Sequence, residues 1–143
     1  MIRFKSLTTE LLEILNDSAL NNKHYWRYQE TEHLGLIPVG HKSIDRTEGI
    51  YEEQGVSCLD NPIQLLQYLS DEYYPANTMD VVLFTGSIIG QGLDEEDIVE
   101  ITEEEQIKYS FPLEIFEQFC LKADKDIYLH NINLRERAEY YYG

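Results

Sequence analysis

Apolar positions recur along this chain in two rhythms, one helical and one extended. Thr8-Thr9 followed by Leu11, Ile14 and Leu15 predicts an amphipathic helix behind a hydroxyl N-cap, stopping in the polar stretch Asn16-Asp17-Ser18 and Asn21-Asn22. Tyr25 to Gln29 is short and aromatic, which suits a strand, and Gly35 to Gly40 with Pro38 interrupts the chain after it. His41 to Glu53 is polar and aperiodic, the pattern of a loop carrying at most an edge strand, and function often resides in such loops. Asn61 then offers a side-chain cap and Pro62 fits a first helical position, where its missing N–H costs nothing. Leu65, Leu66, Leu69 and Tyr73 continue at helical spacing.

The second half is dominated by strands. Asp80 to Gly86 is a continuous apolar run closed by a turn, as expected of a buried central strand. Ile88-Ile89 runs into Gly90-Gln91-Gly92, a loop or a bulge, and Ile98 to Thr102 and Gln106 to Tyr109 are two further short extended segments. Pro112 opens a third helix with Leu113, Phe116, Phe119 and Cys120 facing inward, and Ile127 to Leu134 alternates as a last strand. Glycines 49, 55, 86, 90 and 92 bracket these strands, so the sheet is expected to be cut into short segments whose loops converge around Ser57 and Gly90. Leu65, Leu69, Val82, Phe84, Ile101, Phe116 and Phe119 are expected to be buried together. The pattern is α+β: a split, mainly antiparallel sheet flanked by about three helices.

Composition narrows the class. With 143 residues, 43% of them hydrophobic, the chain can bury a core as one domain spanning residues 1–143. No repeat or Pro/Ser-rich linker divides it. No apolar run approaches the roughly 20 residues of a spanning helix, and Met1-Ile2-Arg3-Phe4-Lys5 lacks the apolar core of a secretory signal, so a soluble cytoplasmic protein is expected. Cys58 and Cys120 are far apart and outside any CxxC spacing, which favours buried free thiols over a disulfide or zinc site. The four histidines form no HxxxH or HExxH pattern, so no metal is expected.

Charge is the most unusual global property. The 27 acidic against 11 basic side chains give a formal net charge of −16, which repels phosphate backbones and, with no Lys/Arg cluster, argues against direct nucleic-acid binding. It equally keeps a small domain soluble.

Three pieces carry candidate chemistry in order: Arg27 in "YWRYQ", Ser57 in "GVSCLDNPIQLLQYL" ahead of the capped helix, and the acids of "GLDEEDIVEI" just before a strand. This order resembles the arginine–serine–glutamate branch of the ADP-ribosyltransferase superfamily. The resemblance covers roughly Tyr25 to Ile107. It implies an ADP-ribosyltransferase-like fold that binds NAD or a related nucleotide, and transfer of ADP-ribose or cleavage of the nicotinamide glycosidic bond. Arg27 and Ser57 would contact the nucleotide, Arg27 at its phosphates, and one of Glu95, Glu96 and Asp97 would be the catalytic acid at the nicotinamide ribose. Only the first serine of a Ser-Thr-Ser signature is present, and overlapping acids replace Glu-x-Glu. In the family's register Asp97 takes the second glutamate's place and Glu95 the first; a one-residue slip substitutes Glu96 and turns the side chain to the other face. The resemblance requires Arg27 and Ser57 to lie within about 15 Å of each other, a span side chains can bridge.

Each residue also has a plain structural role open to it. Arg27 can pair with a surface acid, Ser57 can bond strand backbone, and the acidic runs can be solvated faces. A reading from another class rests on charge alone: a small acidic interaction protein of immunity, anti-defence or nucleic-acid-mimic type that blocks a basic protein partner without catalysis. It needs no cleft, only carboxylates spread over one convex face.

Overall fold

A hydroxyl cap starts the first helix. In the computed structural model, which describes residues 1–32, 39–45, 49–70, 78–92 and 96–121, Thr8 Oγ1 accepts the Leu11 N–H at 3.1 Å and helix α1 runs Thr9–Asn21. Asn16-Asp17-Ser18 does not end it. Ser18 and Ala19 are buried along with Leu11 and Leu15, a helical stripe that carries the polar triplet through. The chain leaves α1 at Asn22, whose φ of 50° makes the left-handed C-cap that asparagine tolerates.

The strands are, in chain order, β1 (Ile2–Arg3), β2 (Tyr25–Glu30), β3 (Val39–Asp45), β4 (Gly49–Cys58), β5 (Met79–Phe84), β6 (Ser87–Gln91), β7 (Asp97–Glu100) and β8 (Ile107–Pro112). They form two four-stranded sheets, β1-β8-β5-β2 and β3-β4-β7-β6. Every pairing is antiparallel except that of β1 with β8. Helix α2 (Pro62–Ser70) begins at its proline, with Asn61 Oδ1 accepting the Gln64 N–H at 2.9 Å. Helix α3 (Leu113–Leu121) follows directly on Pro112, which closes β8 rather than opening the helix. The fold is thus α+β, with antiparallel-rich sheets and three α-helices among the described residues. None of those helices is long and apolar enough to cross a membrane.

The largest departure from the sequence pattern is at 41–45 and 49–53, which form ladder rather than loop. Val39 through Asp45 pair with Gly55 back to Gly49 in unbroken register. A ladder is made by main-chain N–H and C=O groups and does not require alternating side chains, so a polar stretch conceals it. The edge position of β3 in its sheet does agree with the expectation of an edge strand. Ile88-Gly90 carries a register shift against β7, so that segment is a bulged strand. The segment Ile127 to Leu134 and Tyr73 lie outside the described residues.

Strand β5 organises the core. All six of its side chains are buried, and alternation sends them two ways. Val81 and Leu83 join Leu11, Leu65, Leu69, Phe116 and Phe119 beneath the helices, whereas Val82 and Phe84 meet Val56, Cys58 and Val99 of the other sheet. The residues expected to share one core therefore occupy two, with Ile101 only half-buried at the edge of the second.

Two contacts fix the outer strands. Arg3 Nη2 and Nε donate to Asp80 Oδ1 and Oδ2 at 3.0 and 3.2 Å, and Thr31 Oγ1 adds a bond to Oδ1 at 3.1 Å, so the buried carboxylate is satisfied from both sides. At the turn into β6, a Cβ on Gly86 would collide with the Val99 side chain and stand 2.6 Å from the Glu100 carbonyl oxygen. Neither can retreat without moving β7. Gly86→Ala should therefore lower stability by about 1–3 kcal/mol, read as a lower denaturant midpoint; an unchanged midpoint would show that β7 is not held this close.

A pH-dependent contribution arises where α1 meets β2. His24 Nδ1 lies 3.2 Å from Ser18 Oγ and its ring meets Tyr109 edge-on at 5.7 Å. Burial, reinforced by Lys108 and Lys23, holds the imidazole below its ordinary 6.5, against a smaller opposing pull from Asp17. The folded state thus binds the proton less readily than the unfolded chain. Stability from this group is complete above pH 6.5 and is lost progressively as pH falls below it toward the depressed value. His24→Asn should flatten the stability profile in that window, measured by denaturant melts at several pH values.

Candidate functional site

Besides the core they share around Phe84, the two sheets are bridged through their main chains. Trp26 and Leu59 exchange main-chain bonds of 2.7 and 2.9 Å, joining β2 to the end of β4. Trp26 is fully buried, with its ring against Phe116 and Phe119 at 6.1 and 6.3 Å. That anchors one face of β2 to the helices, and strand alternation turns the next residue, Arg27, toward the other sheet.

Arg27 is held by neutral groups. Nη1 donates to the Ser57 main-chain carbonyl at 2.8 Å and Nε to Gln29 Oε1 at 3.3 Å. Burial pulls its pKa below the ordinary arginine value, yet a guanidinium stays protonated at neutral pH. Among the described residues the ion pairs are Arg3–Asp80 and Lys23–Asp17, so this cation has no carboxylate at pairing distance there.

The acids separate cleanly. Glu96 stands one residue before β7, where its carbonyl accepts the Gly92 N–H at 2.9 Å and its carboxylate lies in the space a Gly92 side chain would fill. Asp97 sits opposite Cys58 and Gln91 in the ladders. Its carboxyl is raised by burial and by the nearby charge of Asp60. Glu95 lies outside the described residues.

A cleft of about 230 Å³ opens at this junction. Strand β2 lines it with Trp26, Arg27 and Tyr28, the end of β4 with Ser57, Cys58 and Leu59, and α2 with Leu65 and Tyr68; Glu96 completes the wall. Arg27, Ser57 and Glu96 are thereby brought together from three separate segments, with Arg27 in direct contact with the Ser57 main chain, whereas Asp97 is not part of the lining. The sequence pattern did not single out Tyr28 or Tyr68, whose rings lie 6.0 Å apart at 49°. Tyr68 stands at i+3 from Leu65 on the buried stripe of α2, a spacing that marks it only as a helix-face residue.

The cleft offers a cation, a carboxylate and an aromatic surface, and its thiol is inert. Burial, with a further push from the charge of Asp97, drives Cys58 well above the usual thiol range, and its Sγ lies 3.7 Å from the Asp97 carbonyl. A thiol held protonated is neither nucleophile nor metal ligand. Cys120, also free and fully buried, is raised by burial in the same way. Among the described residues no set of three His, Cys, Asp or Glu side chains is grouped to hold a metal ion.

Comparison with protein-family models, curated proteins and solved structures returns no match.

Proposed function

We propose that the cleft binds NAD or a related nucleotide, and that the protein is an ADP-ribosyltransferase-like domain that transfers ADP-ribose or cleaves the nicotinamide glycosidic bond. One observation carries this reading: Arg27, Ser57 and Glu96, three of the residues that carry the sequence resemblance, line the same cleft. In this reading Arg27 meets a phosphate with its fork of N–H donors. Glu96 stabilises the oxocarbenium-like charge that grows on the ribose as nicotinamide departs. Tyr28 and Tyr68, their rings inclined to each other at 49°, supply aromatic surface against which a ring can pack. The cleft is smaller than most ligand pockets, which begin near 300 Å³, so the nicotinamide-ribose end sits inside and the adenylate runs outward from the mouth. The acceptor would be a protein, and a cytoplasmic setting, where NAD is plentiful, fits this chemistry. Calorimetric titration with NAD tests the reading: saturable binding that Arg27→Ala weakens supports it, and no heat from the wild-type protein sinks it.

A second reading rests on the net charge of −16. An acidic interaction protein would capture a basic protein partner through long-range attraction, without turnover. Its mark is a rate of capture that falls steeply between low and physiological salt, together with indifference to Arg27 and Glu96.

A further inference from the structure

Arg27 is a half-buried cation held by neutral acceptors in a chain with 27 acidic side chains. A carboxylate at either bonding position would stabilise the charge in the folded protein more strongly than an amide or carbonyl does. It would also neutralise the guanidinium and leave nothing for an incoming anion. Gln29 occupies one of those positions. It lies two residues from Arg27 on the same face of β2, is itself buried at 8% exposure, and accepts the Nε–H at 3.3 Å. The next pair along this face shows the alternative: Asp80, opposite Gln29 in the ladder, takes Arg3 in a two-point ion pair. The same surface thus carries one arginine closed by a carboxylate and one left open by an amide.

We propose that Gln29 is a positioning residue for anion binding: it orients the Arg27 guanidinium through Nε while leaving its positive charge uncompensated, so that the cleft takes a phosphate or pyrophosphate group. This rests on the nucleotide reading for the identity of the full ligand, but the anion site itself does not depend on catalysis. The Ser57 carbonyl fixes Nη1 from the other strand, so the fork is held at two points. Arg27 Nη2 makes no protein hydrogen bond among the described residues, so its two N–H groups, with the second one on Nη1, are the donors left for the anion. Gln29→Glu is close to isosteric and supplies the missing counterion, closing the site by an internal ion pair.

The experiment titrates wild type, Gln29→Glu and Gln29→Met with inorganic pyrophosphate and, separately, with NAD, and records thermal midpoints for all three. Wild type is expected to bind pyrophosphate. Gln29→Glu should lose about ten- to a hundredfold in pyrophosphate affinity, the range for one charge-assisted contact, with its midpoint unchanged or raised. Gln29→Met, which loses the acceptor but adds no charge, should lose less affinity than Gln29→Glu and should not gain stability. A purely structural glutamine would not produce lost affinity with retained or increased stability. Gln29→Glu binding pyrophosphate as well as wild type, or wild type failing to bind it at all, overturns the proposal. Pyrophosphate binding that obeys this order while NAD neither binds nor turns over would uphold the anion site and remove the nucleotide reading alone.

Discussion

Glu96→Gln should reduce NAD consumption by about a hundred- to a thousandfold, with the thermal midpoint nearly unchanged. The size follows from the proposed role: a fixed charge facing a developing positive centre acts in the transition state, and losing one such preorganised group typically costs about two to three orders of magnitude. The small stability effect follows from position. Glu96 precedes β7 rather than lying within it, is only partly buried, and its backbone bond to Gly92 survives the substitution. Asp97→Asn is the matched control, since Asp97 is adjacent in sequence but absent from the cleft wall. Turnover that tolerates Glu96→Gln but not Asp97→Asn would transfer the role to the second acid, and turnover indifferent to both would end the transferase mechanism.

The largest loss of stability is expected from Phe84→Ala, about 3–5 kcal/mol, a large share of what holds a domain of this size together. Phe84 has no exposed surface and projects between the two sheets, where Val56, Cys58, Val82, Val99 and Ile107 complete the packing and the tilted Tyr25 ring lies 6.0 Å away. That inter-sheet core is small. Its neighbours belong to strands already committed to their ladders, so the cavity cannot readily collapse. Chemical denaturation measures the effect directly; a loss below about 1 kcal/mol, which would mean the gap refills, would show that the sheets are not joined through this side chain.

What the sequence made legible was what local chemistry alone decides. Thr8, Asn61 and Pro62 act within a turn of themselves, and both helix starts lie where those residues put them. The apolar run of β5 is equally plain because both its faces are buried. The β3–β4 ladder was hidden because its cohesion is in main-chain bonds that polar side chains do not advertise. The single expected core became two because a run such as Val81-Val82-Leu83-Phe84 does not disclose which partner each face meets. At the site, Arg27 and Ser57 were identifiable as residue types. The bond between them is to the serine's carbonyl, which any residue at position 57 could supply. The choice among Glu95, Glu96 and Asp97 was a question of strand phase; the ladder sets Asp97 opposite Cys58, Glu96 is among the residues that line the cleft, and Glu95 lies outside the described residues.

The pairing of β1 with β8 has a consequence for how the protein is made. Ile2 lies beside Tyr109 and Arg3 beside Ser110, while β2 must wait for β5, and β5 for β8, before sheet one is complete. A ribosome delivers these segments in order, so β1 emerges well before β8, the strand it pairs with, and must wait for it. Closing such long loops before any contact offsets the lost entropy makes folding slow. Until β8 has left the exit tunnel, the apolar strand β5 has an unpaired edge, and nascent chains stalled short of residue 112 should be the forms that recruit chaperones.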